Sequence, residues 1–230
     1  DIGHQAAQRV LGALGAQKIS TRKTPVLYPA DMARSLFGML LSAISGGAQY
    51  RKASFLLDAK GQTIFPDFVT LEEQPHIAEA IGSRPMDAEG VVTQNKVLVV
   101  DGVLQDYLLS SYSARRLGLE TTGNAGGISN LIVSPTAGGY DDLVKQMNTG
   151  FIVTSVMGHG FNAITGDYSY GARGFWVENG EIQHAVNEVS IASNVADMFK
   201  GIVAIGNDID TRGSIRTGSV LIDEMTLAGS

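Results

Sequence analysis

No familiar catalytic spacing runs through this chain, so any chemistry must come from scattered residues. The histidines are His4, His76, His159 and His184. None is followed by Glu and none stands four or five residues from another, so the helical signature of two imidazoles on one face is missing. Cys is absent altogether, which removes disulfides, thiolate metal sites and Cys nucleophiles. No Gly-x-Ser-x-Gly elbow occurs, and no Gly-Lys-Ser/Thr follows the Gly-containing turns near 171–174 and 206–208. His159 sits in Gly158-His159-Gly160, just ahead of a polar loop that runs to Asp167, Tyr168 and Ser169. A Gly-rich loop after a buried strand is a place where ligands bind; a plain turn with a solvated imidazole is the alternative. Gly126 and Gly127 end a run in which backbone can approach a ligand, or in which the chain is simply mobile. Asp208 and Asp210 alternate, so they could share a cation or each cap a turn. Glu72-Glu73 reads as a solvated face.

The elements that must position these residues follow from periodicity. Apolar residues at helical spacing predict a short amphipathic helix over 1–16 and an almost wholly apolar helix over 31–45, with Asp31 as its cap. The period then becomes two. Segments 54–57 and 62–65 flank a Gly-containing turn, 91–100 and 103–109 flank Asp101-Gly102, and 172–177 and 181–186 flank Asn179-Gly180. Each predicts a hairpin. Further strands are expected at 26–28, 128–133, 151–156 and 215–222, and short helices at 110–117, 140–147 and 194–199. No βαβ alternation appears. The expected fold is therefore α+β and mainly antiparallel, a barrel- or sandwich-like set of hairpins around one buried helix and a few short ones. One domain over 1–230 is expected, with 1–25 as a lead-in helix and connector.

Composition narrows the function. The 230 residues carry a net charge of −6, which argues against direct nucleic-acid binding. The longest apolar stretch, 36–48, is broken by Ser and Gly and is too short to span a bilayer, so no membrane partner is expected. The sequence opens at Asp1 without Met or a signal-peptide pattern. A cytoplasmic protein, and a piece of something longer, is the expectation.

Several segments together resemble the TldD/PmbA family. They are 43–48 (AISGGA), Tyr50-Arg51-Lys52, 110–118 (SSYSARRLG), Thr165-Gly166-Asp167-Tyr168-Ser169, 174–182 (GFWVENGEI), Gly206-Asn207-Asp208-Ile209 and Gly218-Ser219-Val220-Leu221. They come in the family's order from about residue 26 onward, and they resemble the PmbA (TldE) branch most. The chain would then be the C-terminal half of such a protein.

The resemblance implies a two-subunit cytosolic zinc metalloprotease that acts on unfolded or precursor peptides; the family was also once described as a modulator of DNA gyrase. In it, the TldD-type subunit holds zinc on an HExxxH helix, with a late Cys as a further ligand. Laid on this sequence, the first His, the Glu and the second His fall at Pro29, Ala30 and Arg34, and the Cys falls at Thr217. Pro binds no metal, Ala takes no proton from water, and a guanidinium repels a dication. The implied role is a non-catalytic subunit with no cofactor of its own, the zinc being held by a TldD-type partner. Gly126, Gly127, His159, Asp167 and Tyr168 are then the candidate peptide contacts, and a homodimer of the isolated chain is possible. Two alternatives stand beside it: a metal-dependent hydrolase in its own right, using His159, Asp167 and Asp208, or a gyrase- or regulator-binding module.

Overall fold

The computed structural model describes residues 3, 7 and 10–229. Its centre is a closed barrel of five strands: β1 (Arg22–Tyr28), β6 (Gly150–Met157), β7 (Asp167–Glu178), β8 (Glu181–Asn194) and β11 (Val220–Ala228). The ring closes because β11 divides its partners. Residues 226–228 pair with β8, 220–222 pair with β9 (Ile202–Ile205), and β1 runs along both halves. All ring pairings are antiparallel except β1–β6. Closure leaves no long barrel edge open for unwanted pairing. A second sheet, ordered β10 (Ile215–Arg216), β5 (Leu131–Val133), β2 (Leu71–Glu73), β3 (Lys96–Val100) and β4 (Val103–Leu104), completes the strands.

Helix α1 (Ala30–Ala43) joins the two sheets, packing against β1, β6 and β10. Ala33, Leu36, Phe37, Leu40 and Ala43 are buried on it, which is why its sequence is apolar on nearly every side. Each large side chain so buried stabilises the fold by about 1.5–3 kcal/mol. Its cap differs from expectation. Pro29 occupies the N-cap position and Asp31 lies in the first turn, where its charge faces the positive end of the helix. The remaining helices are α2 (Gly46–Tyr50), α3 (Ser111–Leu117, closed by a Ser110–Ser113 capping box), α4 (Tyr140–Met147) and α5 (Val195–Lys200).

Two of the three expected hairpins form. Asp101 and Gly102 take φ of 48° and 75°, and Asn179 and Gly180 take 54° and 73°, the double positive φ that a type I′ turn requires. At Gly102 a Cβ would meet the Phe65 carbonyl oxygen at 2.2 Å, so only Gly fits. The 54–65 hairpin does not form. Leu56, Ala59, Ile64 and Phe65 are buried, and the Gly61 and Ile64 amides donate to Leu104 and Gly102 rather than to each other's strands. Core burial there outcompetes the local turn signal. The expected closing strand 215–222 is two strands in different sheets, parted at 217–219, where Gly206 donates to the Ser219 carbonyl. Glu73, expected on a solvated face, is 1% exposed and pairs with Lys96 at 3.0 Å. The expected helix over 1–16 falls partly outside the described residues, as does His4.

Candidate functional site

A deep concavity lies where β1 hands over to α1. Tyr28 ends β1 inside the barrel, and Pro29 turns the chain into the helix, its carbonyl accepting from the Met32 and Ala33 amides at 2.8 Å each. Pro29 and Asp31 line one side of a cleft of about 700 Å³, and Tyr140 at the start of α4 adjoins them. Thr154 and Ser155 of β6, Arg173 and Phe175 of β7, and Asn187 of β8 line the same cleft. Apolar surface from Phe175 and Val186 alternates there with hydroxyl, amide and guanidinium groups, a mixture suited to a peptide. Burial, followed by the nearby charges of Asp141, Asp208 and Asp31, pushes the Tyr140 phenol up to about 12, so it stays a neutral donor at physiological pH.

Of the positions that the resemblance would align with HExxxH, Pro29 lines the cleft and Arg34, further along α1, carries a guanidinium. Arg34 reaches Asp210 at 3.6 Å and donates to the Asp31 carbonyl at 3.4 Å. The buried Asp210 carboxylate is gripped on its other side by Arg212, through Nε and Nη2 at 2.9 Å each and through the backbone amide at 2.9 Å. The Arg212 hydrogen bond chiefly, helped by the charges of Arg34 and Arg212, brings the Asp210 carboxyl down to about 2 against the opposing effect of burial. The Asp210 amide donates to the Thr217 carbonyl at 3.0 Å, so Thr217, which the resemblance would set at the late Cys position, lies directly beside this cluster. Thr217 is fully buried, its hydroxyl turned to the Gly218 carbonyl. Pro, Ala, a salt-bridged guanidinium and a buried hydroxyl do not make a zinc donor set. Among the described residues no group of three His, Cys, Asp or Glu is placed to hold a metal. Asp208 and Asp210 do not share a site either, because Asp208 is taken up by the Ser219 amide and hydroxyl at 3.0 and 2.6 Å.

The five candidate contact residues are not brought together. His159 is exposed on the β6–β7 loop, and Asp167, also exposed, opens β7 and accepts from the Thr165 hydroxyl at 2.6 Å. That loop is tied back by Gly160, whose carbonyl accepts from Ser169 at 2.7 Å. Tyr168 points the other way, into the barrel, where its hydroxyl meets that of Tyr28 at 3.3 Å. At 4% exposure it is a core residue rather than a contact. Gly126 and Gly127 lie on a different groove, beside α2 and α3. The residues that do line the main cleft, Tyr140 and Arg173 above all, carry no sequence motif; only their register in α4 and β7 aims them there.

A family model described as the PmbA/TldA metallopeptidase C-terminal domain matches residues 21–229. The chain belongs to the PmbA/TldD family. Among its relatives, the metalloprotease PmbA of Escherichia coli O157:H7 is 50% identical over 228 residues, covering 99% of this chain and 51% of that protein. The PmbA homolog of Haemophilus influenzae is 48% identical over 230 residues, covering 100% of this chain and again 51% of that protein. The chain thus spans about half the length of the curated PmbA-type relatives it matches. A crystal structure of a candidate modulator of DNA gyrase from Bacteroides thetaiotaomicron superposes with a TM-score of 0.95 at 32% identity, over 99% of this chain and 52% of that one. TldE from Thermococcus kodakarensis shares the fold, with a TM-score of 0.86 at 22% identity over 98% of this chain and 55% of that one. Its barrel and second sheet are therefore the PmbA/TldD C-terminal fold.

Proposed function

We propose that this domain is the peptide-binding, non-catalytic half of a PmbA-type subunit, working with a TldD-type subunit that holds the zinc. One observation carries the reading. At the positions that the resemblance would align with the metal-binding helix, Pro29 lines the cleft and Arg34 is salt-bridged to Asp210, so cleft and helix are present while those ligands and that base are not. A cleft lined by a single carboxylate, Asp31, and by no His or Cys can hold a substrate and orient it, and lacks the donor set that would hold a zinc to activate water. The Tyr140 hydroxyl, the Arg173 guanidinium and the Asn187 amide supply donors for peptide carbonyls, and Phe175 and Val186 supply an apolar patch for a side chain. An independent hydrolase built on His159, Asp167 and Asp208 draws no support from the geometry, since Asp208 is committed to Ser219. Both names carried by the relatives, metalloprotease and gyrase modulator, are compatible with a chain whose own contribution is binding.

The test is peptide cleavage by three preparations: the full-length PmbA-type chain, a TldD-type subunit, and the two together. The first is expected to be inactive and the pair active on an unfolded peptide. Cleavage by the PmbA-type chain alone, abolished by substitution of His159 or Asp167, would overturn the proposal.

A further inference from the structure

A second groove, of about 490 Å³, runs between α2, α3 and the 124–127 loop, away from Arg34 and Asp210. Its floor is small: Ser42, Gly46 and Gly47 on one side, Gly126 and Gly127 on the other. Two aromatic rings, Tyr50 and Tyr112, stand along it in an edge-to-face pair with centroids 5.8 Å apart. Gly126 and Gly127 take φ of 84° and 96°, a conformation that keeps side chains off this wall.

The wall is built rather than loose. The Asn124 amide donates to both Glu73 oxygens at 3.0 Å, and the Ala125 amide donates to Asp87 at 2.9 Å. Arg84 donates to the Gly127 carbonyl. Glu73 and Asp87 are both buried, so the loop is anchored by carboxylates whose oxygens are already hydrogen-bonded, Glu73 also being paired with Lys96.

Two cations stand beside the groove at its Tyr50 ring. The Arg51 and Arg116 guanidiniums lie over the Tyr50 ring, 5.2 and 5.8 Å from its centroid, and Arg51 also donates to the Tyr50 hydroxyl at 3.1 Å. Lys52 and Arg115 are their exposed chain neighbours. None of the four is in an ion pair among the described residues, and no Asp or Glu lines the groove. Beside it Glu89 accepts from the Ser111 amide at 2.7 Å, next to the lining residues Ser110 and Tyr112. In a chain of net charge −6, a rim of unpaired cations held in place by aromatic stacking is a local inversion of the whole.

We infer that this groove binds an acidic, extended peptide segment, its backbone on the glycine floor and its carboxylates on Arg51 and Arg116. Arg suits the task because its planar fork meets a carboxylate with two parallel hydrogen bonds. Nothing lies within 4 Å of where a Cβ on Gly127 would stand, so a backbone can approach closely there, and Tyr112, half exposed, offers a ring for the segment's apolar side chains. The inference goes beyond the peptide cleft at Pro29 and Tyr140, because it rests on different residues and specifies charge.

The experiment is fluorescence anisotropy on the full-length chain with labelled unstructured peptides of about eight residues, long enough for an extended backbone to cross a groove of this kind. One peptide is rich in Asp and Glu, one is neutral and one is rich in Lys. The acidic peptide is expected to bind best and to weaken as salt rises. Arg51→Gln and Arg116→Gln should each weaken it about threefold to fivefold, and the double variant about tenfold or more. Both side chains are exposed, and circular dichroism checks that the variants stay folded. Equal binding of the three peptides, or an unchanged double variant, would overturn the inference. So would a single-stranded oligonucleotide binding as tightly as the acidic peptide, which would make the groove a general polyanion site. If instead Arg173→Gln releases the acidic peptide and the groove variants do not, the cleft holds it; the groove assignment then fails while the proposed function stands.

Discussion

At the scale of single residues, Asp210 is the group whose protonation matters most for the site. Its carboxyl titrates at about 2 in the folded chain, below the ordinary value of 3.8, because Arg212 and Arg34 hold the charged form. A depressed carboxylate contributes stability that is complete above its unfolded pKa and disappears as pH falls through its folded one. The window is therefore from about pH 4 down to about pH 2, and the contribution is about 1 kcal/mol, since Arg212 is mostly in water. Urea denaturation across that range should show the loss in the native chain and a shallower acid limb in Asp210→Asn. Glu73 is the stronger structural case. It is almost fully buried, paired to Lys96 and bonded to Asn124 and the Ser129 amide. Glu73→Ala strands the Lys96 charge and should cost about 3–5 kcal/mol, read as a lowered denaturation midpoint with an unchanged slope.

At the scale of elements, α1 and the hairpin tips bear the fold's specificity. Leu40 is fully buried on α1, so Leu40→Ala removes apolar contact and leaves a cavity. A loss of about 2–5 kcal/mol in equilibrium unfolding is expected. Gly102→Ala should destabilise by about 1–3 kcal/mol despite adding only a methyl group, because φ is positive there and the Cβ meets a backbone carbonyl. Gly61→Ala is the control: its φ is also positive, at 81°, but nothing lies within 4 Å of the added Cβ, so its cost should be visibly smaller in the same thermal melt.

At the scale of the whole molecule, closure of the barrel separates its strands from those of the second sheet. β1, β6 and β11 are bonded on both sides and packed against buried side chains, whereas β4 and β10 are two-residue strands at the sheet's margins. Hydrogen exchange should accordingly be slowest at Val26, Ile152 and Leu221 and faster by orders of magnitude at Val103 and Ile215. Exchange that is uniform across the two sheets would contradict this division. No helix among the described residues is long and apolar enough to cross a membrane.

What could be read along the chain was local. The α1 apolar face, the Asp101-Gly102 and Asn179-Gly180 turns, and the α3, α4 and α5 segments all rest on side chains and φ preferences within a few residues of each other. The α+β class and the resemblance to PmbA/TldD chains were legible for the same reason, since motifs are contiguous. Long-range pairing was not. The division of 215–222 between two sheets depends on Gly206 and Asp208 bonding to Ser219, and the failure of the 54–65 hairpin depends on Leu104 and Gly102 capturing its amides. The burial of Glu73 likewise needs Lys96, Asn124 and Ser129, brought from 23 to 56 positions away, to supply its hydrogen bonds. The cleft is of this second kind: Pro29, Tyr140 and Arg173 share no spacing that a motif could record. A closed barrel sets residues side by side through strand register, and register is chosen by burying one face of every strand at once, a balance over the whole chain rather than a property of any stretch of it.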